Sequence, residues 1–282
     1  MIQIDLAGKV AFVTGASSKR GMGHAIALRL AGYGANVVVM DKFAAPKSLF
    51  SGDEKWRGLD EEVEEIKAMG RDALALTLDI SGTKEVNEGV AKAIDKFGKI
   101  DILVNCAAIR GTPNLDIVNG DENEWKAMFE INLLGSFLIS KPIVKDMIKR
   151  GQGGKIVHFA SLAGRFGVKG NAAYSASKWG VIGLVQSLAL EVAAHKINVN
   201  AICPGMIITN LRDRFHEEGA KREGITAEQF RLKEYEMVSK GIPIGRMGTV
   251  DDIADVVSFL VSPLSDYMTG QSLNVCGGAH MD

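Results

Sequence analysis

The sequence predicts an α/β fold: a doubly wound parallel sheet with helices on both faces, built as a single domain. Two observations carry the prediction. Short runs rich in β-branched residues alternate along the chain with segments of helical period. Those runs are apolar almost throughout rather than at every second residue, as strands buried on both faces require. A third observation sets the domain count: no repeat, low-complexity tract or Pro/Ser-rich linker divides residues 1–282.

Strands are expected at 10–14, 37–40, 73–78, 102–104, 156–159, 199–202 and 273–275. Helices are expected at 23–32, 59–69, 84–97, 122–149, 173–194 and 250–261. Two segments exceed what these connections need. One is an insertion at 42–58 with Phe43, Phe50 and Trp56, read equally as a cap on a ligand or as a surface loop. The other, 210–242, is helical in pattern with seven Lys/Arg against seven Asp/Glu, which fits a solvated flap over a pocket.

A composition of 46% hydrophobic and 24% charged residues supplies an ample core. The net charge of -1 gives no field that would attract nucleic acid or an anionic membrane, so neither partner is expected. The apolar stretch 181–194 is interrupted by Gln186, Ser187 and Glu191, so no membrane span is expected. Cys106, Cys203 and Cys276 are far apart and read as free thiols in a reducing compartment. With no basic-then-apolar leader, the expected location is cytoplasmic. No His/Cys/acid cluster has metal-ligand spacing, and no metal is expected.

The first chemical signal follows the first strand: Thr14-Gly15-Ala16-Ser17-Ser18-Lys19-Arg20-Gly21-Met22-Gly23, then a helix. Glycines allow a sharp turn and close approach of backbone to a pyrophosphate, and a helix N-terminus offers unpaired N–H groups to the anion. Tight strand-to-helix turns also use glycine for structure alone. What favours a dinucleotide is Asp41, ending the second strand twenty residues after Gly21, where a carboxylate accepts from the adenosine ribose hydroxyls. The fold is then Rossmann-type. The charge of Asp41 favours NAD over NADP; Lys19, Arg20 and Lys42 are the basic residues that would neutralise a 2′-phosphate.

The second signal is Tyr174 and Lys178, spaced i, i+4 on one helical face. A tyrosine is a poor base at neutral pH until a nearby ammonium favours its phenolate. Ser161 lies just beyond a strand, at the carboxyl edge where open α/β sheets bind ligands, and its hydroxyl suits a reacting oxygen. Each residue alone is unremarkable; their joint placement behind the glycine turn is the signal.

Taken in order, the glycine turn, Asn105-Cys106-Ala107-Ala108, Asn132, Ser161, Tyr174, Lys178 and Pro204-Gly205-Met206-Ile207-Ile208-Thr209 resemble the short-chain dehydrogenase/reductase family, from about Leu6 to Gly278. The resemblance implies Tyr174 as general acid/base, Lys178 as its electrostatic partner gripping the nicotinamide ribose, and Ser161 as orienter of the substrate oxygen. It implies that Asn132 holds a water linking Lys178 to solvent. For the cofactor it implies Gly15, Ser17, Arg20, Gly21, Met22, Gly23, Asp41, Asp79, Ile80, Asn105, Ala107, Pro204, Gly205, Ile207 and Thr209, together with Tyr174 and Lys178. It also implies a homo-oligomer, dimer or tetramer, pairing helices 122–149 and 173–194.

Three departures stand out. Five residues separate Gly15 from Gly21, two more than usual, which leaves the contacts of Ser17 to Arg20 open. Asn-Cys-Ala-Ala replaces Asn-Asn-Ala-Gly, so Ala108 needs a negative φ. The third departure is the 42–58 insertion. The leading function is a dehydrogenase moving hydride between NAD and a secondary alcohol or ketone of small size. The alternatives are an NADPH-dependent ketoreductase, for instance of a 3-oxoacyl thioester, and a non-catalytic dinucleotide sensor. Pocket residues are expected at Ile109, Arg110, Leu162, Arg165, Phe166 and the 210–242 flap, with Arg110, Arg165 and Lys169 as a positive rim for an anionic substrate.

Overall fold

The structure, a computed structural model, describes residues 4–45, 53–112 and 116–281. Seven parallel strands form one sheet: β1 (Val10–Thr14), β2 (Asn36–Asp41), β3 (Ala73–Thr77), β4 (Ile102–Asn105), β5 (Gly154–Phe159), β6 (Ile197–Pro204) and β7 (Ser272–Val275). Their order is β3-β2-β1-β4-β5-β6-β7. The order reverses between β1 and β4, where the crossovers diverge to opposite faces and leave a crevice at the carboxyl ends.

Side-chain alternation along β1 shows why both faces are apolar. Val10 and Phe12 enter one core layer while Ala11 and Val13 enter the other. The first layer is covered by α3 (Thr83–Phe97), α5 (Gly135–Arg150) and α6 (Ala172–Val192), through residues such as Val90, Ile143 and Val185. The second is covered by α1 (Met22–Gly32), α2 (Leu59–Ala68) and α9 (Val250–Val261), through Ile26, Ile66 and Val257. A capping box at Thr249 and Asp252 starts α9. The flap is helical as expected: a short turn at Asn210–Arg212, then α7 (Asp213–Glu223) and α8 (Ala227–Ser239). They pack closely because Gly219 has no Cβ, which would meet the Phe230 ring at 2.2 Å.

One expected helix is not continuous. Residues 122–149 form α4 (Glu122–Met128), a π turn at Phe129–Leu134, and α5. The extra residue per turn rotates Asn132 into the interior, where it is fully buried. By length and composition Glu122–Arg150 would also suffice to cross a membrane, a point the sequence reading missed. Half of its apolar window is buried inside the protein, as a core helix of this fold requires.

A polar network ties the carboxyl ends of the central strands together. Thr14 Oγ1 donates to Asn105 Oδ1 at 2.6 Å and accepts from the Ala107 N–H. Asn105 Nδ2 faces Ser136 Oγ at 2.9 Å and His158 Nδ1 at 3.2 Å. Ser140 Oγ donates to the Ser136 carbonyl, so it accepts from His158 Nε2 at 3.0 Å. That fixes the tautomer of His158 with hydrogen on Nε2. Both ring nitrogens are used, and burial, helped by the Lys178 charge, pushes the imidazole down to about 4.

His158 therefore stays neutral in the folded chain while its unfolded counterpart protonates below about 6.5. Stability present above that pH is lost as pH falls toward 4, by about 3 kcal/mol in all. Urea titrations across this window should show the loss in wild type and its absence in His158→Gln.

Candidate active site

The glycine turn joins β1 to α1. Gly15 has φ +67, and a Cβ there would meet the Ala107 backbone at 2.9 Å. At Gly23 a Cβ would meet the Gly15 carbonyl at 2.3 Å, so the turn closes on itself only with glycine at both positions. Gly21 begins α1 with no side-chain cap, and no acidic residue occupies the first turn. The N–H groups around Met22 thus remain for an anion, and the cradle fits a pyrophosphate.

Asp41 accepts from the Ser17 and Lys42 N–H groups at 3.1 and 2.7 Å, one to each oxygen, leaving lone pairs for sugar hydroxyls. Asp79 lies beside it: burial raises its carboxyl, but Lys42 and Ser81 outweigh that and hold it below its ordinary value. Lys42 Nζ lies 2.7 Å from Asp79 Oδ2. Ile80 is buried against Gly135. Across the crevice, Pro204 ends β6 and Gly205 N–H donates to Val275 O at 3.0 Å. Ile207 bridges to Gly248, and Thr209, also buried, precedes the flap. Ala108 meets its condition, since Lys196 is the one described non-glycine residue with positive φ.

Ser161, Tyr174 and Lys178 come together at the ends of β5 and α6. Ser161 opens a short turn and accepts from the Ala163 N–H at 3.2 Å. Its side chain lies next to Tyr174 and favours the phenolate. Burial raises the Tyr174 phenol, and Ser161 and the Arg110 charge act against that rise. Lys178 Nζ lies 5.8 Å from the centre of the Tyr174 ring and donates to Phe159 O at 2.7 Å. Burial pushes its ammonium down to about 8. Asn132 donates to Ile109 O and Ser177 Oγ, both at 3.0 Å, and accepts from Ile109 N–H at 2.9 Å. It braces the Ile109 loop against α6 and keeps one oxygen lone pair uncommitted.

Comparison with known proteins shows the family. The family model described as enoyl-(acyl carrier protein) reductase matches residues 15–280. A 3-oxoacyl-(acyl-carrier-protein) reductase of Staphylococcus aureus is 37% identical over 273 residues, covering 97% of this chain and 98% of its own. The chain belongs to the short-chain dehydrogenase/reductase family. It is an oxidoreductase of the NAD(P)-dependent kind acting on CH–OH groups. Among solved members, a carveol dehydrogenase of Mycobacterium avium in complex with NAD superposes with a TM-score of 0.84 at 29% identity, covering 98% of this chain and 99% of its own. An actinorhodin polyketide ketoreductase with NADPH gives 0.82 at 34% identity, covering 96% and 97%.

Against that family pattern, the insertion is more than a surface loop. Trp56 Nε1 donates to Ser17 O at 2.8 Å, and its ring meets His24 edge-on at 5.0 Å. Beneath it, burial pushes the Glu62 carboxyl up to about 7, while His24 at 3.5 Å pulls it down. Phe43 is exposed, and Phe50 lies outside the described residues. Arg20 does not stand open toward the phosphates: its Nε donates to Asp53 of the insertion at 2.8 Å, and its Nη atoms hold Asp213 of the flap.

Sequence reasoning missed these two acids, and missed His280, whose ring packs on Phe166 at 4.7 Å. It also missed Arg212, which pairs with Glu234 and covers Phe215. No local signal marks them, because Arg20, Phe166 and Glu234, the groups they pair with, are distant in sequence.

The charged form of Lys178 is held at a cost. Displacement from 10.5 to about 8 corresponds to about 3 kcal/mol. Lys178→Met should therefore lower kcat at least about a hundredfold while the Tm is equal or higher. Steady-state kinetics and calorimetry on the same preparations check both halves.

Proposed function

We propose that the chain oxidises a secondary alcohol to a ketone with NAD, reversibly, and that Tyr174 is its acid/base. The observation that carries this is the Ser161–Tyr174–Lys178 cluster at the mouth of the crevice, with the serine acting on the phenol and the ammonium beside the ring. Bound NAD would accept the hydride from the carbinol carbon. Tyr174 takes the hydroxyl proton, and Ser161 holds the oxygen in line for that transfer. Lys178 grips the ribose of the nicotinamide, and its charge favours the phenolate. Asn132, with its free lone pair, holds the water that connects Lys178 to solvent.

For the adenosine end we assign Asp41 to the ribose hydroxyls, with Asp79 and Ile80 at the adenine. Gly15, Ser17, Gly21, Met22 and Gly23 line the pyrophosphate; Asn105, Ala107, Pro204, Gly205, Ile207 and Thr209 line the nicotinamide half. NAD is favoured over NADP because two of the basic residues that would meet a 2′-phosphate already hold acids: Arg20 holds Asp53 and Asp213, and Lys42 holds Asp79. The second reading, reduction of a 3-oxoacyl thioester with NADPH, is favoured by the names of the Staphylococcus relative and the polyketide ketoreductase.

Assembly as a homodimer or tetramer is supported by Leu134, Phe137 and Ile148 before and along α5 and by Trp179 and Leu190 on α6, all exposed. The free thiols Cys106, Cys203 and Cys276 fit a cytoplasmic setting.

A panel of secondary alcohols and matching ketones should show turnover by wild type that collapses in Tyr174→Phe with dinucleotide affinity kept. Undiminished turnover in the variant would overturn the assignment. Because oxidation needs Tyr174 without its proton and burial raises that group, kcat/KM for oxidation should rise with pH while that for reduction falls. Fluorescence titration should give a lower Kd for NADH than for NADPH, with Asp41→Ala narrowing the gap; tighter NADPH binding by wild type would favour the second reading.

A further inference from the structure

Arg110 follows the Ile109 loop and brings its guanidinium carbon to 5.8 Å from the centre of the Tyr174 ring. Its charge reaches the tyrosine, where it opposes the rise caused by burial. It reaches Arg212 as well, adding to the burial that brings that group to about 10. Its partners distinguish it from other arginines of the chain. Arg20 holds Asp53 and Asp213, Arg150 holds Asp146, Arg212 holds Glu234, and Arg246 holds Asp252. Arg110 has no carboxylate among the described residues; one Nη donates to the neutral Asn171 Oδ1 at 3.2 Å.

None of the nearby acids is paired with it. Glu124 accepts from the N–H and hydroxyl of Thr112, Asp121 caps α4 through Asn123, and Asp116 accepts from Asn119. Glu234 is shared between Arg212 and His216. The mouth of the site thus holds a forked cation, beside the group that moves the proton, with no ion pair among the described residues.

We infer that Arg110 binds a carboxylate of the substrate, making the substrate a hydroxy acid, or the matching oxo acid, with its carboxylate close to the reacting carbon. A planar carboxylate takes two parallel N–H bonds from one guanidinium, which fixes direction as well as distance. Asn171, at the start of α6, holds the side chain toward Tyr174 and supplies no charge of its own. The arrangement sharpens the expectation of a positive rim. Of the residues named from sequence, Arg110 is the one the geometry sets against Tyr174. Lys169 is exposed, with no ion pair among the described residues, and Arg165 lies in the turn after Ser161.

The inference rests on the dehydrogenase reading, and binding separates the two. Calorimetric titration of the enzyme–NADH complex with short 2-oxo and 3-oxo acids, each beside its amide, needs no turnover. We expect at least one acid to bind about tenfold or more tightly than its amide. The acid-to-amide ratio should fall to near one in Arg110→Gln and recover only in part in Arg110→Lys, which keeps charge but loses the fork. Equal binding of acid and amide across the panel, or a preference that survives Arg110→Gln, overturns the substrate class. Failure of the dehydrogenase reading would appear elsewhere, as undiminished turnover in Tyr174→Phe.

Discussion

The end of β1 and the end of β4 are held in register by one buried chain of hydrogen bonds, and the site is arranged around it. Thr14 and Asn105 occupy equivalent positions on paired strands. Their mutual bond, with Ala107 N–H closing on the threonine, fixes where the glycine turn leaves the sheet. The same asparagine reaches His158 on β5 and Ser136 on α5, and Ser136 donates to the Asn132 carbonyl in the π turn. Every donor in this chain has one acceptor available, so the network has a single proton arrangement. In a low-dielectric interior such a fully satisfied network is rigid, and a half-satisfied one would be costly.

That rigidity is what lets Lys178 remain charged. A buried ammonium needs an acceptor at fixed distance, and the Phe159 carbonyl at the end of β5 supplies it. The strand end is fixed in turn by pairing with β4 and β6. The lysine's charge is therefore held by the sheet as much as by the helix that carries it. Tyr174, one turn earlier, inherits both the dry surroundings and the neighbouring charge.

The fold was largely legible because its signals are local. Apolar runs gave all seven strands, with ends shifted by one or two residues where pairing rather than composition decides, as at β5 and β6. The glycine turn and the placement of Tyr174 beside Lys178 were legible because both follow from fixed local spacings. The π turn was not: Phe-Glu-Ile-Asn-Leu-Leu suits an α-helix equally, and only the bonds of Asn132 to Ile109 and Ser177 show what the extra residue does. Nor were the partners of Arg20, which lie 33 and 193 positions away. Reading that arginine from sequence as a phosphate contact followed its position in the turn; its two acids come from segments whose placement no local pattern records.

These distant pairings give the site its charge distribution. The lengthened glycine turn projects Arg20 between the insertion and the flap, where Asp53 and Asp213 neutralise it and link both segments to the turn. Trp56 adds a bond to Ser17 in the same turn. Arg20 is thereby committed to structure, and what the glycine turn offers an anion is its backbone N–H groups and the end of α1. At the other end of the crevice the order is reversed: the backbone is engaged by Asn132, and Arg110 stands beside Tyr174 without a carboxylate among the described residues. A dinucleotide brings its own negative charge to the first end. The second end keeps a cation that a neutral alcohol would leave uncompensated, and a carboxylate on the substrate is the group that completes it.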